Sequence, residues 1–257
     1  MIIDTHMHLL DERFNIDRSL VIARAKQVGI SKFIEVTCEV KSWEQARKLA
    51  EDEYNIFMSL GIHPINACCI QQYSYNNILQ KMAKYHKCVA IGEIGLDYHD
   101  KPSYHEVLKQ KLCFIQQLNI ALNLNKPVII HCRDAYEDAI NILSQYNMGL
   151  KGVIHCFSGS LKYAQEFLKL GFLLGVDGPI TYSTKLQYVI SQISINNIVV
   201  ETDSPYLVPN KHKNHITRNE PCYITSIIEQ IAKIKNISYH TVLKHTTNNA
   251  LKLFNLK

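Results

Sequence analysis

The sequence predicts an α/β protein of the (β/α)8 TIM barrel class, built as a single domain over residues 1–257. Three observations carry this expectation. The length of 257 residues lies close to the ~250 typical of one such barrel. Short apolar runs alternate with amphipathic segments from end to end, a pattern that implies a parallel sheet with crossover helices. The runs number eight, enough for the sheet to close on itself.

In chain order the strand-like runs are Ile2–His8, Phe33–Thr37, Ile56–His63, Cys88–Glu93, Pro127–His131, Gly152–Phe157, Phe172–Val176 and Ile198–Asp203. Their β-branched and aromatic residues suit a pleated, buried surface. Helix starts are marked by side chains whose oxygen can accept from backbone N–H groups that lack a partner in the first turn. Asp17 is placed to cap a helix that stops at Gly29, and Ser42 with Gln45 forms a capping-box pattern. The longest helix is expected from Ser103 to about Asn123. Asp134 with Glu137 repeats the capping pattern, Ser160 caps a helix ending at Gly171, and Ser238 opens the last one. One segment breaks the rhythm: Pro209–Pro221, PNKHKNHITRNEP, reads as a long polar and basic loop. No linker-like stretch separates a second domain.

Composition bounds the function classes. Hydrophobic residues make up 47% of the chain and charged residues 20%, which excludes a disordered protein and supports a sizeable core. No apolar run approaches the ~18 residues of a membrane span. The chain enters its first strand without a basic n-region or a small-residue cleavage pattern, so a cytoplasmic protein with no membrane contact is expected. The formal charge of +5 suits a polyanionic partner but is too common to decide anything alone. Eight cysteines without a C-x-x-C pair are expected as reduced, buried thiols. A monomer with no obligate protein partner is expected.

Six candidate metal donors sit at the ends of the apolar runs: His6, His8, Glu93, His131, His155 and Asp203. Parallel strands that converge on one rim can bring such distant residues together. His6 and His8 are two apart, so strand alternation points both rings to one face. Glu93 follows Val89-Ala90-Ile91-Gly92, where a carboxylate is costly to bury unless paired or metal-bound, and its two oxygens could bridge two cations. His131 and His155 each precede a cysteine, which alternation sends toward the covering helices. Cys132 and Cys156 therefore read as packing residues. Asp203 can bind a metal through one oxygen and take a proton from an attacking water with the other. Glu201 shares its orientation one step deeper and reads as a supporting acid. Four imidazoles and two carboxylates, with no thiolate, suit two divalent ions (Mg, Mn or Zn) in an open catalytic site. Two cations at one site are the arrangement for phosphodiester displacement. The catalytic roles fall to Asp203 and Glu93.

Around this set, His63 in GIHP either binds a phosphate oxygen or satisfies the turn at Pro64. Asp97 is placed to orient His131 or Arg133. Arg133 offers a planar fork to a phosphate or to Asp97. Arg218, Lys211, Lys213, His212 and His215 lie on the basic loop, which either tracks a nucleic-acid backbone or is simply solvated. Tyr98, Phe157, Tyr182 and Tyr206 are candidates for stacking on unpaired bases, and core packing is the alternative for each. Trp43 reads as structural.

The phrases DTHMHL at 4–9, GIHP at 61–64, IGEIGLDY at 91–98, HCRDA at 131–135, HCFSG at 155–159, ETDSPYL at 201–207, RNEP at 218–221 and TTNNALKLF at 246–254 together resemble the TatD-type metal-dependent DNases. That family is a branch of the amidohydrolase superfamily of (β/α)8 barrels. The resemblance covers nearly the whole chain, with the phrases in the family's order. It implies a metal-dependent hydrolase that cleaves phosphodiester bonds of nucleic acid, DNA or possibly RNA. An exonuclease acting on single-stranded ends is the expected form. It also implies the same six ligands, with Glu93 bridging where several superfamily relatives carry a modified lysine. One departure is Asp177 in GVDGPITY at 175–182, an extra acid that would alter metal number or substrate fit if it points inward. Two other readings use the same residues: a hydrolase of amides, lactones or small phosphoesters, and a non-catalytic metal-bound scaffold.

Overall fold

In the computed structural model, residues 1–69, 75–146, 149–213 and 217–256 are described. The strands are β1 Ile2–Met7, β2 Ile30–Val36, β3 Ile56–Leu60, β4 Cys88–Asp97, β5 Val128–Arg133, β6 Gly152–Ile154, β7 Leu173–Val176 and β8 Ile198–Val200. They form one sheet in sequential order, every adjacent pair parallel. A parallel bridge between Met7 and Ser204 brings the last strand back to the first. The main helices are α1 Arg18–Gln27, α2 Trp43–Asp52, α3 Asn76–Met82, α4 Tyr104–Asn123, α5 Tyr136–Ser144, α6 Leu161–Lys169, α7 Thr184–Gln192, α8 Ile224–Lys235 and α9 Tyr239–Phe254. The architecture is the (β/α)8 barrel that the alternation of runs predicted.

Two apolar layers follow from strand alternation. Ile3, Ile34, Val36, Ala90, Ile129, Val153 and Val199 pack together with Phe254 and Leu256, so α9 and the residues after it plug one end of the barrel. Their sequence neighbours, including Ile2, Phe33, Val128, Ile130, Ile154, Ile198 and Val200, belong to the larger layer packed with the helices. Each such side chain contributes roughly 1.5–3 kcal/mol by leaving water. The ion pairs on the outside are partly exposed, and such pairs are worth about 1 kcal/mol or less. Packing therefore decides the fold.

Among the register shifts in the sheet, two bear on the polar rim. Register shifts occur in β1 between Asp4 and Met7, and in β4 between Ile91 and Ile94. An irregularity of this kind re-aims side chains. Counting by twos from Ile3 or from Ala90 would turn His6 and Glu93 outward. The shifts bring both inside.

Strand ends also differ from the sequence expectation. The fourth strand continues to Asp97, so Glu93 lies within it. The third stops at Leu60, which leaves His63 in the following turn. His8, His155 and Asp203 lie just beyond β1, β6 and β8. Ser160 and Ser238 cap α6 and α9 as expected, accepting from the backbone N–H of Tyr163 and Thr241, and Ser103 just before α4 proves to be a cap as well, accepting from the Glu106 N–H. Three expected caps are replaced by other contacts. The Asp17 carboxylate instead pairs with Arg24 at 3.1 Å and Arg218 at 2.6 Å, since a guanidinium is a stronger partner than a neutral N–H. The Ser42 hydroxyl donates to the Glu39 carbonyl at 2.8 Å. Asp134 turns to His99 at 3.0 Å, and α5 begins at Tyr136 with no side-chain cap. Cys38, Cys88, Cys113, Cys132, Cys156 and Cys222 are free thiols. Among the described residues, no helix is long and apolar enough to cross a membrane.

Gly95 fixes how closely β5 approaches β4. Its φ is +145°, and a Cβ there would lie 1.9 Å from the His131 carbonyl oxygen. Neither strain nor clash can relax without moving backbone. Gly95→Ala is expected to lower stability by about 3 kcal/mol or more and to displace His131; urea denaturation, with metal binding measured in parallel, checks both effects.

Candidate metal centre

Glu93 is the hub of the polar cluster inside the rim. It is 3% exposed, and its two oxygens face different imidazoles. Oε2 lies 3.5 Å from His6 Nε2. Oε1 lies 2.9 Å from His131 Nδ1, 3.6 Å from His63 Nε2 and 3.8 Å from His155 Nε2. Asp203 joins the first group: its Oδ1 is 3.2 Å from His8 Nε2 and 3.7 Å from His6 Nε2. It also reaches His155 Nε2 at 3.8 Å. The His6 and His155 rings stack at 3.5 Å between centroids. All six donors nominated from sequence thus meet in one cup.

The seam where the barrel closes positions much of this cup. The Asp203 N–H donates to the His6 carbonyl at 2.9 Å, and the His8 N–H to the Ser204 carbonyl at 2.8 Å. Asp203 adopts φ +51°, a left-handed conformation that aspartate tolerates better than most residues. Behind the donors lies a ring of acceptors. His8 Nδ1 meets the Val36 carbonyl at 2.9 Å, His131 Nε2 meets Asp97 at 2.8 Å, and His155 Nδ1 meets Glu201 at 2.8 Å. Such partners fix ring orientation and tautomer, as in metal sites generally. Glu201 also accepts from the Cys156 N–H at 2.7 Å.

The donors fit a divalent cation. The Val36 carbonyl accepts from His8 Nδ1–H, so on the neutral ring it is His8 Nε2, 3.2 Å from His6 Nε2, that carries the lone pair. Buried nitrogens and carboxylates gathered this closely need positive charge between them. Protons alone can supply it. Burial disfavours a charged imidazole, yet Asp203 and Glu93 raise His8 to about 9. Glu201, Asp203 and Glu93 likewise overcome burial to raise His155 to about 10. Burial works against ionised Glu93 too, but His63, His6 and His131 hold it well below the usual carboxylate range. Asp203 is lowered as well, because His155 and His8 outweigh its burial. Burial lowers His6, with the neighbouring His155 adding to the effect. A bound cation would take the place of the protons on His8 and His155. His6–His8–Asp203, His6–His155–Glu201, His8–Cys38–Glu93 and His63–Asp97–His131 each bring ligand atoms within 4.8 Å of one another.

The surrounding candidates divide. His63 serves the turn, its Nδ1 accepting from the Ile65 N–H at 3.2 Å, while Nε2 faces Glu93. Burial lowers its pKa to about 4, so it is neutral near pH 7. Arg133 is exposed at the end of β5, and among the described residues no hydrogen bond or ion pair engages its guanidinium. Arg218 is corrected: its guanidinium binds Asp17, Glu220 at 3.0 Å and the Arg13 carbonyl, and sits over the Phe14 ring. These partners fasten the residues before α8 to α1, leaving the fork committed. Lys211 lies 3.9 Å from Glu229, and His212 bonds Ser226 at 3.0 Å. The Lys213 ammonium sits 3.4 Å over the Tyr182 ring. His215 lies outside the described residues. Phe157 is core, packed edge-on to Phe167, and Tyr98 is tied to Asp138 at 2.8 Å. Tyr206 keeps a rim position, 46% exposed and edge-on to His8 at 5.9 Å. Trp43 is buried, donating to the Gly61 carbonyl at 3.2 Å.

Asp177 points inward. It is fully buried, neither oxygen makes a hydrogen bond of normal geometry, and burial with the Glu201 and Asp203 charges raises it to about 8. The thiol of Cys156 lies beside it. Cys156 therefore does not face the helices as alternation predicted, because its φ of +45° turns the chain there.

Sequence reasoning passed over three residues. The Cys38 thiol lies 3.6 Å from Glu93 Oε2. Cys38 shares strand parity with the inward-facing Ile34 and Val36, a signal that could have found it. Glu35 accepts the Leu9 and Leu10 N–H groups at 2.6 and 3.2 Å, and Asp4 accepts from Thr202 at 2.6 Å. Both hold the loops that carry His8 and Asp203. Neither was visible before the loops were placed.

A closed parallel barrel with histidines and carboxylates gathered at one end of its strands defines a metal-dependent hydrolase. The model of the TatD related DNase family matches residues 3–255. The chain is 35% identical over 259 residues to the uncharacterized metal-dependent hydrolase YabD of Bacillus subtilis, covering 100% of each. It is 32% identical over 262 residues to the 3'-5' ssDNA/RNA exonuclease TatD of Pantoea ananatis, covering 98% of this chain and 99% of that one. The crystal structure of YjjV, a TatD homolog from Escherichia coli K12, superimposes with a TM-score of 0.91 at 29% identity, covering 100% and 98%. The chain belongs to the TatD related DNase family.

Because His8 and His155 hold protons near neutral pH in cation-free protein, metal binding is expected to release protons. Affinity for Zn²⁺ or Mn²⁺ should then rise as pH climbs toward about 9. Titration calorimetry in buffers of different ionisation enthalpy measures the release; identical heats in every buffer would contradict it.

Proposed function

We propose that this chain hydrolyses phosphodiester bonds of nucleic acid, as a DNase with exonuclease action on single-stranded ends. The observation that carries the reading is the division of Glu93, whose Oε2 faces His6 while Oε1 faces His131 and His155. That division supports two divalent cations, with His6, His8 and Asp203 on one side, His131 and His155 on the other, and Glu93 shared. Bound there, the cations would lower the pKa of a water and neutralise charge on the leaving oxygen. Asp203, ionised and beside His8, takes the proton of the attacking water. Asp97 and Glu201 hold the His131 and His155 rings in place. Arg133 offers its uncommitted fork to a phosphate, and His63 lines the cup beside Glu93.

The substrate class is supported by the printed activity of the Pantoea relative and by the shape of the rim. A cavity of about 240 Å³ adjoins His8, lined by Leu10, Val36, Tyr206 and Ser42 among others. It suits one unpaired nucleotide unit better than a duplex, and the exposed Tyr206 ring gives a base a surface to stack on. The whole chain acts as one domain in this reading. Its free thiols suit the reducing cytoplasm.

Purified protein with Mg²⁺ or Mn²⁺ is expected to shorten labelled single-stranded oligonucleotides faster than duplexes. Asp203→Asn should slow cleavage by about a hundredfold or more. Absence of cleavage, or a rate untouched by Asp203→Asn, would sink the proposal. Turnover of a small ester or amide far above that of DNA and RNA would move the activity to another branch of the superfamily.

A further inference from the structure

We infer that Cys38 is a sulfur ligand in the half of the cup formed by His8 and Glu93, giving that half a preference for Zn²⁺ over Mg²⁺ or Mn²⁺. The inference rests on the reading that the six donors hold divalent cations. It adds a donor of different chemistry to them. The Cys38 sulfur lies 3.6 Å from Glu93 Oε2, and one ligand atom each from His8, Cys38 and Glu93 falls within 4.8 Å of the others. Three donors of three kinds thus converge on a space the size of a coordination sphere.

The backbone keeps the thiol there. The Cys38 carbonyl accepts from the His63 N–H at 3.0 Å and from Asn66 Nδ2 at 2.9 Å. The Thr37 carbonyl accepts the Glu93 N–H at 3.2 Å, tying the end of β2 to the strand that carries Glu93. Two residues earlier, the Val36 carbonyl fixes His8 Nδ1 and leaves Nε2 as the donor. One short stretch of chain therefore places both the imidazole and the sulfur.

Thiolate is a soft ligand that favours zinc, whereas an all-oxygen and imidazole set discriminates less against magnesium or manganese. Ligation replaces the S–H proton with the cation, and the proton passes to buffer. The alternative is a neutral thiol that only donates a hydrogen bond to Glu93. Cys156, on β6's side of the cup beside Asp177, supplies a control thiol of similar depth.

Cobalt(II) separates these cases, because its visible d–d bands report any nitrogen and oxygen cup while a near-ultraviolet charge-transfer band requires sulfur. The full-length protein loaded with Co²⁺ is expected to show both. Cys38→Ser should lose the near-ultraviolet band and keep the visible ones, which also shows that the variant folds and still binds metal. Cys156→Ser should keep both. In competition experiments, Cys38→Ser should weaken Zn²⁺ binding about tenfold more than Mn²⁺ binding. Visible bands without the sulfur band in the wild type, or a sulfur band that survives Cys38→Ser, overturns the inference and leaves the six-donor cup standing. No cobalt bands in any variant overturns the cup itself.

Discussion

The structure turns on one electrostatic constraint: the Glu93 carboxylate is buried inside the barrel. Left alone, an ion there would cost several kcal/mol, and a neutral acid would be the outcome. The imidazoles of His63, His6 and His131, all within 3.6 Å, reverse that outcome and hold Glu93 well below the usual carboxylate range. The same crowding that stabilises the anion makes the cluster avid for further positive charge. A cluster so balanced can accept either protons or cations, and its capacity for metal follows from the electrostatics of one residue.

A second layer keeps the donors from collapsing on each other. Asp97 stands behind His131, Glu201 behind His155 and the Val36 carbonyl behind His8. Each contact spends one ring nitrogen so that the other is aimed. Asp4 and Glu35 carry the same logic one step further out, since they bind backbone and hydroxyl groups of the loops that bear the donors. Asp4, Glu35, Asp97 and Glu201 are all buried, and each bonds a ring or a loop of the cup. Preorganisation of that kind is what a hydrolytic site requires.

The rim shows how charge in a sequence can mislead. Arg218 and Lys211 fall in a segment whose composition suits a polyanion. Yet Arg218 is bound to Asp17 and Glu220, and Lys211 faces Glu229. Glu220 is only two residues from Arg218, but Asp17 lies far away in sequence and Glu229 on α8, so composition could not pair them. Among the described residues, the guanidinium without a hydrogen bond or ion pair belongs to Arg133, inside the motif rather than on the loop.

The sequence alone determined the barrel and nominated the six residues that gather in the cup, because both depend on local regularities: eight apolar runs of strand length, and a histidine or acid at or near the end of six of them. The caps at Ser160 and Ser238 were legible for the same reason, each using only its own first turn. Tertiary structure decided what depends on register and on distant partners. The irregularities of β1 and β4 turned His6 and Glu93 inward, against simple alternation. A left-handed backbone at Cys156 rotated a thiol away from its expected face, and remote partners claimed Asp17 and Arg218. The Cys38 thiol came within 3.6 Å of Glu93 only when the chain just past β2 reached over the end of β3 to β4, where the Glu93 N–H donates to the Thr37 carbonyl. Side-chain type and period are written along the chain, whereas the distance between two side chains exists only once the strands between them have packed.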